Sequence, residues 1–120
     1  MKSIDIEIAD NSDSLSRGMM YRKHLDRDKG MLFKFPSVIF ASFWGKNTYI
    51  PLDLAFISTA GEICDVKEIV PMSTKTVHSS FPCKYALEVN AGFLKENGIA
   101  PGDKVTIDEN EKKISFGRKE

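Results

Sequence analysis

The sequence predicts a mainly β domain, a compact β-sandwich or barrel-like unit carrying two short α-helices. Three observations lead there. Apolar and polar residues alternate at period two in several short segments. Turn-forming clusters recur between those segments, at residues 26–30, 45–47, 59–61, 101–103 and 109–110. Helical spacing appears only twice, and briefly.

Ile4, Ile6 and Ile8 alternate with Asp5 and Glu7, the pattern of a half-buried first strand. Asn11, Ser12 or Asp13 then offers a cap for a helix ending near Tyr21, with Leu15 and Met19 four apart on its inner face. Met31, Phe33 and Phe35 around Lys34 make a second strand. Residues 38–44 are apolar on both parities, which predicts a strand covered on two faces. Residues 52–58 and 63–70, joined by Thr59, Ala60, Gly61 and Glu62, read as a hairpin. Residues 71–80 hold five Ser/Thr and read as a mobile loop or irregular edge. Tyr85, Leu87 and Val89 alternate with Ala86, Glu88 and Asn90 in a further strand. Asn90 is a candidate cap for a helix over 91–97, with Phe93 and Leu94 inward and Gly98 placed to end it. Val105 and Ile107, then Ile114 and Phe116, form a closing hairpin.

At 120 residues the chain is expected to form one domain over 1–120, with no linker or repeat to divide it. Seventeen Lys+Arg balance seventeen Asp+Glu, so no overall field draws it to nucleic acid or anionic lipid. No apolar run approaches the roughly 18 residues of a membrane helix. Asp5 and Glu7 break the apolar core that a signal peptide needs, and Cys64 and Cys83 are too few and too far apart for a disulfide framework. A cytoplasmic protein is expected, with no membrane and no nucleic-acid partner.

The segment from Phe43 to Asp53 carries the densest polar and aromatic mixture. Phe43 and Trp44 enter a polar turn of Lys46, Asn47 and Thr48, and Asp53 follows inside an apolar strand. A carboxylate in such a strand needs donors or a cation, since burial without them costs several kcal/mol. Two roles are open to Asp53: it pins the 46–48 turn, or it floors a polar pocket rimmed by Trp44, Lys46 and Asn47. Arg22 is either a solvated helix-terminal arginine or a planar fork on Asp53 or Glu88. Glu88, on the polar parity of its strand, is expected to face solvent; turned inward it becomes a second carboxylate. Metal chemistry finds no footing. His24, Cys64, His78 and Cys83 form no CxxC, HxH or HExxH spacing, and no phosphate loop or nucleophile elbow is present, so no metal or other cofactor is expected.

The sequence also resembles the bacterial and archaeal family called domain of unknown function 192, over about residues 4–107, with the closing hairpin and tail at 104–120. The blocks that carry the resemblance are Arg17-Gly18-Met19-Met20 with Arg22 and Leu25, Gly30-Met31-Leu32-Phe33 with Phe35, and Phe43-Trp44 with Lys46-Asn47-Thr48. Ile50-Pro51-Leu52-Asp53 with Ala55-Phe56-Ile57, then Leu87-Glu88-Val89-Asn90-Ala91-Gly92 and Gly102-Asp103-Lys104-Val105, complete them. The resemblance implies a compact β-rich, sandwich-like fold and no agreed activity. The family pattern carries a methionine where this chain has Gly45, so the site is expected to open or the turn to loosen there.

Together these readings favour a small-molecule or carbohydrate-binding module whose pocket is built from Arg22, Trp44, Lys46, Asn47, Asp53 and Glu88. Trp44 would stack on a ring while Lys46 and Asn47 supply hydrogen bonds. The alternatives are a hydrolase-type enzyme using Asp53 or Glu88 as acid or base, and an interaction protein docking through residues 71–80.

Overall fold

The computed structural model describes residues 2–117. Met1 and the last three positions of the predicted tail lie outside the described residues. Among the described residues strands account for 47% and helices for 9%, a mainly β fold. In chain order the elements are β1 (Lys2–Ala9), α1 (Ser12–Arg17), β2 (Lys29–Ile39), β3 (Ser42–Phe43), β4 (Leu52–Ile57) and β5 (Ile63–Ile69). β6 (Val77–His78), β7 (Cys83–Asn90), α2 (Phe93–Glu96), β8 (Val105–Asp108) and β9 (Lys113–Phe116) follow.

Seven strands form one sheet in the order β5-β4-β7-β2-β1-β9-β8, and β3 pairs with β6 in a separate ribbon. β1 and β2 run parallel, with α1 in the connection between them, and the other pairs in the sheet are antiparallel. The sheet curls into a half-barrel. Its ends meet where Glu62 bridges Lys104, with Val105 N–H donating to the Gly61 carbonyl at 2.7 Å. Curling brings the two edge strands together at this bridge.

Side-chain alternation splits the core in two. Ile4, Ile6, Leu32, Ala55, Ile57, Leu87 and Val89 point into the curl, where Phe93, Leu94, Ile114 and Phe116 close it. Met31, Phe33, Phe35, Leu52, Leu54, Phe56 and Ala86 point to the opposite face. There they meet Met19 and Leu25 from the segment after α1, and Phe43 from the β3–β6 ribbon. All six residues of β4 are buried because both faces of the sheet are covered.

Four expectations are corrected. Residues 38–44 are not one covered strand: β2 outruns the packed sheet, its pairing with β7 becomes irregular after Lys34, and Val38 and Phe40 are exposed. Residues 71–80 are not wholly irregular, because Val77 and His78 pair with Phe43 and Ser42. Helix α1 ends at Arg17, well short of Tyr21, where Gly18 at φ +49° turns the chain. Its cap is as expected, a reciprocal box between Asn11 and Ser14. Asn90 does not cap α2; its amide donates to the Leu25 and Asp26 carbonyls, and the first turn of α2 takes its acceptor from Asp53 instead.

Candidate functional site

The turn between β3 and β4 is built by backbone bonds. Thr48 N–H donates to the Gly45 carbonyl at 3.0 Å, and Asn47 adopts the left-handed conformation at φ +56° that asparagine tolerates. Two neighbouring segments hold it in place. Tyr21 N–H donates to the Asn47 carbonyl, and the Asn47 amide donates to the Tyr21 hydroxyl at 2.9 Å. On the other side Gly45 N–H donates to the Ser73 carbonyl and Met72 N–H to the Thr48 carbonyl. Gly45 packs so closely on the 70–73 backbone that a Cβ there would lie 1.9 Å from the Val70 carbonyl oxygen. The missing side chain therefore tightens the turn against its neighbour; the looser turn expected from the sequence is not what this contact produces.

This pinned turn forms one wall of a cleft of about 760 Å³; α1 and residues 18–20 form the other. Between them lie Phe33 and Phe35 of β2 and Phe43 of β3, with Phe43 set edge-on to Phe33 at 5.0 Å between ring centres. Trp44, 42% exposed, stands at the mouth with the Lys46 ammonium 5.2 Å from its ring centre, a cation–π contact. Arg17 and Asp13 at the opposite lip pair with each other at 2.6 Å.

Glu88 lines this cleft from β7 and is only 4% exposed. Its strand partners are Met31 on one side and Leu54 on the other, both apolar and buried. Its Oε1 has no hydrogen-bond partner among the described residues. Burial pushes its carboxyl up to about 8, so the group is largely neutral at pH 7. Gly18 sits directly over it: a Cβ at that position would be 3.3 Å from Phe33 Cζ and 3.8 Å from Glu88 Oε1. Glycine at this φ makes the turn and keeps a side chain off the Phe33 ring beside the acid.

The expected site residues thus separate into two groups. Trp44, Lys46, Asn47 and Glu88 come together in the cleft. Asp53 does not join them. It is buried on the other face of the sheet, where its Oδ2 accepts from Gly92 N–H at 3.1 Å and Leu94 N–H at 3.2 Å. Neither the 46–48 turn nor Arg22 is its partner, because alternation along β4 turns Asp53 toward the inside of the curl. Arg22 does not reach either carboxylate of the expected pocket. Its guanidinium forks onto Glu7, which holds the Glu7 carboxyl below its usual value. Asp53 and Glu88, on opposite faces, do not form a carboxylate pair.

The three cleft phenylalanines and Arg17 were legible only as strand and helix residues. What places them at a site is the register, with Met31 opposite Glu88 and Phe33 opposite Ala86. Among the described residues no group of His, Cys, Asp or Glu is arranged to hold a metal ion, and no helix is long and apolar enough to cross a membrane.

Solved structures that share the fold include two bacterial proteins. A Sinorhizobium meliloti 1021 protein described as a "putative transcription regulator" is 39% identical, over 84% of this chain and 79% of that one, with a TM-score of 0.82. A protein of unknown function from Novosphingobium aromaticivorans DSM 12444 is 33% identical over 82% and 71%, with a TM-score of 0.80. No curated protein matches the chain. The family model described as "Uncharacterized ACR, COG1430" matches residues 1–107, nearly the whole of the described fold including the cleft, and the chain belongs to that family, DUF192.

Proposed function

We propose that the protein is a small-molecule-binding module and that the cleft over Glu88 is its binding site. One observation carries the reading: Glu88, whose buried Oε1 has no partner among the described residues, lines a cleft instead of a closed core. Buried polar groups are nearly always satisfied, and a hydrogen-bond partner supplied by a ligand would satisfy this one. The aromatic walls offer stacking surface, and Lys46 and Asn47 offer polar contacts at the mouth. Sugars and other small polar molecules with an apolar face fit this description.

A thermal-shift screen against sugars, nucleotides, amines and carboxylates tests it. A ligand at 100 times its Kd stabilises by about 2.7 kcal/mol. The stabilisation is expected to shrink in Glu88→Gln and in Trp44→Ala. A screen without any hit, or hits indifferent to both substitutions, would overturn the proposal.

A catalytic reading has one observation in its favour, the raised Glu88 carboxyl, since a general acid must hold its proton near neutral pH. Without Asp53 the cleft lacks the second buried carboxylate of a hydrolase pair, so binding is preferred. Nucleic acid is not proposed as the partner despite the description of the Sinorhizobium protein. The balanced charge and helices of only six and four residues give little to place in a groove. Two free thiols, Cys64 and Cys83, suit the reducing cytoplasm that we propose as its location.

A further inference from the structure

We infer that the ligand of this cleft is amphoteric, with an ammonium group seated on Glu88 among the phenylalanines and an acidic group at the mouth facing Lys46. The inference rests on the binding reading above and assigns its chemical class.

Charge placement along the cleft assigns this class. Deep in it, Glu88 presents an oxygen without a donor. The surrounding groups are uncharged aromatic and apolar side chains: Phe33, Phe35 and Phe43 in the cleft, and Met31 and Leu54 beside Glu88 on the neighbouring strands. None of them can balance an ionised Glu88, so the balancing cation has to come from the ligand. An ammonium both donates to the unpartnered oxygen and supplies that charge, and it would hold Glu88 in its ionised form.

The mouth has the opposite character. Lys46 has the Trp44 ring beside it, whereas the charge of Arg17 is already balanced by Asp13. A plain cation would meet the Lys46 charge on entry. A plain anion would be drawn to the mouth and would leave Glu88 without a cation. A molecule with a cation at one end and an anion at the other satisfies both regions.

Protons distinguish this class from its rivals. Below pH 8 Glu88 is protonated in the free protein, so seating an ammonium on it releases a proton. The charged groups facing the cleft from other elements are Asp13, Arg17 and Lys46, while β2 and β4 present apolar side chains to Glu88. An ω-amino acid should therefore bind about tenfold more tightly at pH 7 than at pH 6, with the gain levelling off near pH 8. A neutral sugar should show no such slope, and an alkyl carboxylate bound by the neutral acid should weaken above pH 8.

The experiment is calorimetric titration of the protein between pH 6 and pH 8.5, in two buffers of different ionisation enthalpy. The probes are ω-amino acids of three to eight carbons, the matching n-alkylamines and alkyl carboxylates, and glucose as the neutral control. The expected result is a preferred ω-amino acid that outbinds its amine and its carboxylate and releases close to one proton at pH 6. In Glu88→Gln the pH slope should vanish and affinity should fall at least tenfold. In Lys46→Ala affinity should fall to that of the alkylamine. Glucose binding without a pH slope, or a carboxylate outbinding the amino acids, would overturn the amphoteric assignment and leave the binding site standing. Failure of every probe, sugar included, would overturn both.

Discussion

Replacing Glu88 by glutamine should make the protein more stable at high pH. The amide has the shape of the neutral acid and stays uncharged, so little packing is lost. Burial raises the folded-state carboxyl from about 4.5 to about 8. Between those values the folded protein holds a proton that the unfolded chain has released, and stability must fall as pH rises. Each pH unit is worth about 1.4 kcal/mol, so the full span costs roughly 4 to 5 kcal/mol by pH 8 and about 3 kcal/mol by pH 7. Against the 5–15 kcal/mol typical of a domain that is a large fraction. Other groups slope the other way. Glu7, paired with Arg22, and Asp65, which accepts from Ser80 N–H, have lowered carboxyls and lose their contribution on acidification. Urea unfolding of parent and Glu88→Gln from pH 4.5 to 9 cancels those terms in the difference. That difference should grow in favour of glutamine with rising pH and level off above about 8. A difference independent of pH would refute the reasoning.

Asp53→Ala should cost roughly 2–4 kcal/mol in chemical unfolding, because it strands the Gly92 and Leu94 N–H groups, and should leave ligand affinity in the cleft unchanged. Gly45→Ala should destabilise by roughly 1–3 kcal/mol, since its Cβ meets the Val70 carbonyl and the backbone must move; thermal unfolding reads this directly. Trp44→Ala should cost less than the roughly 3–5 kcal/mol of a buried aromatic, because the ring is 42% exposed, while binding measured by calorimetry should weaken.

Sequence patterning carried the strand inventory further than it carried the site. Alternation in Ile4, Ile6 and Ile8 identified β1, and the polar break at 59–62 identified the β4–β5 hairpin, because each depends on local period and turn chemistry. Residues 38–40 misled for the same reason: apolar composition does not reveal that β2 runs past its packing partners. At the site, Trp44, Lys46 and Asn47 were legible because one turn supplies all three. Glu88 was read toward solvent because polar parity usually faces water, an assumption that fails when a sheet is covered on both faces. Asp53 was correctly marked as needing donors, yet its donors are 39 and 41 residues away, at the start of α2. Pairing register and the side of the sheet are long-range properties. A single period-two pattern leaves them open.

Glu88 is a buried acid lining the cleft, and its side-chain carboxyl carbon reports its protonation state directly. Carbon-13 NMR titration of the Glu88 carboxyl in the ligand-free protein should give a midpoint near 8. Glu88 titrating near 4.5, as an ordinary solvated glutamate does, would contradict the account.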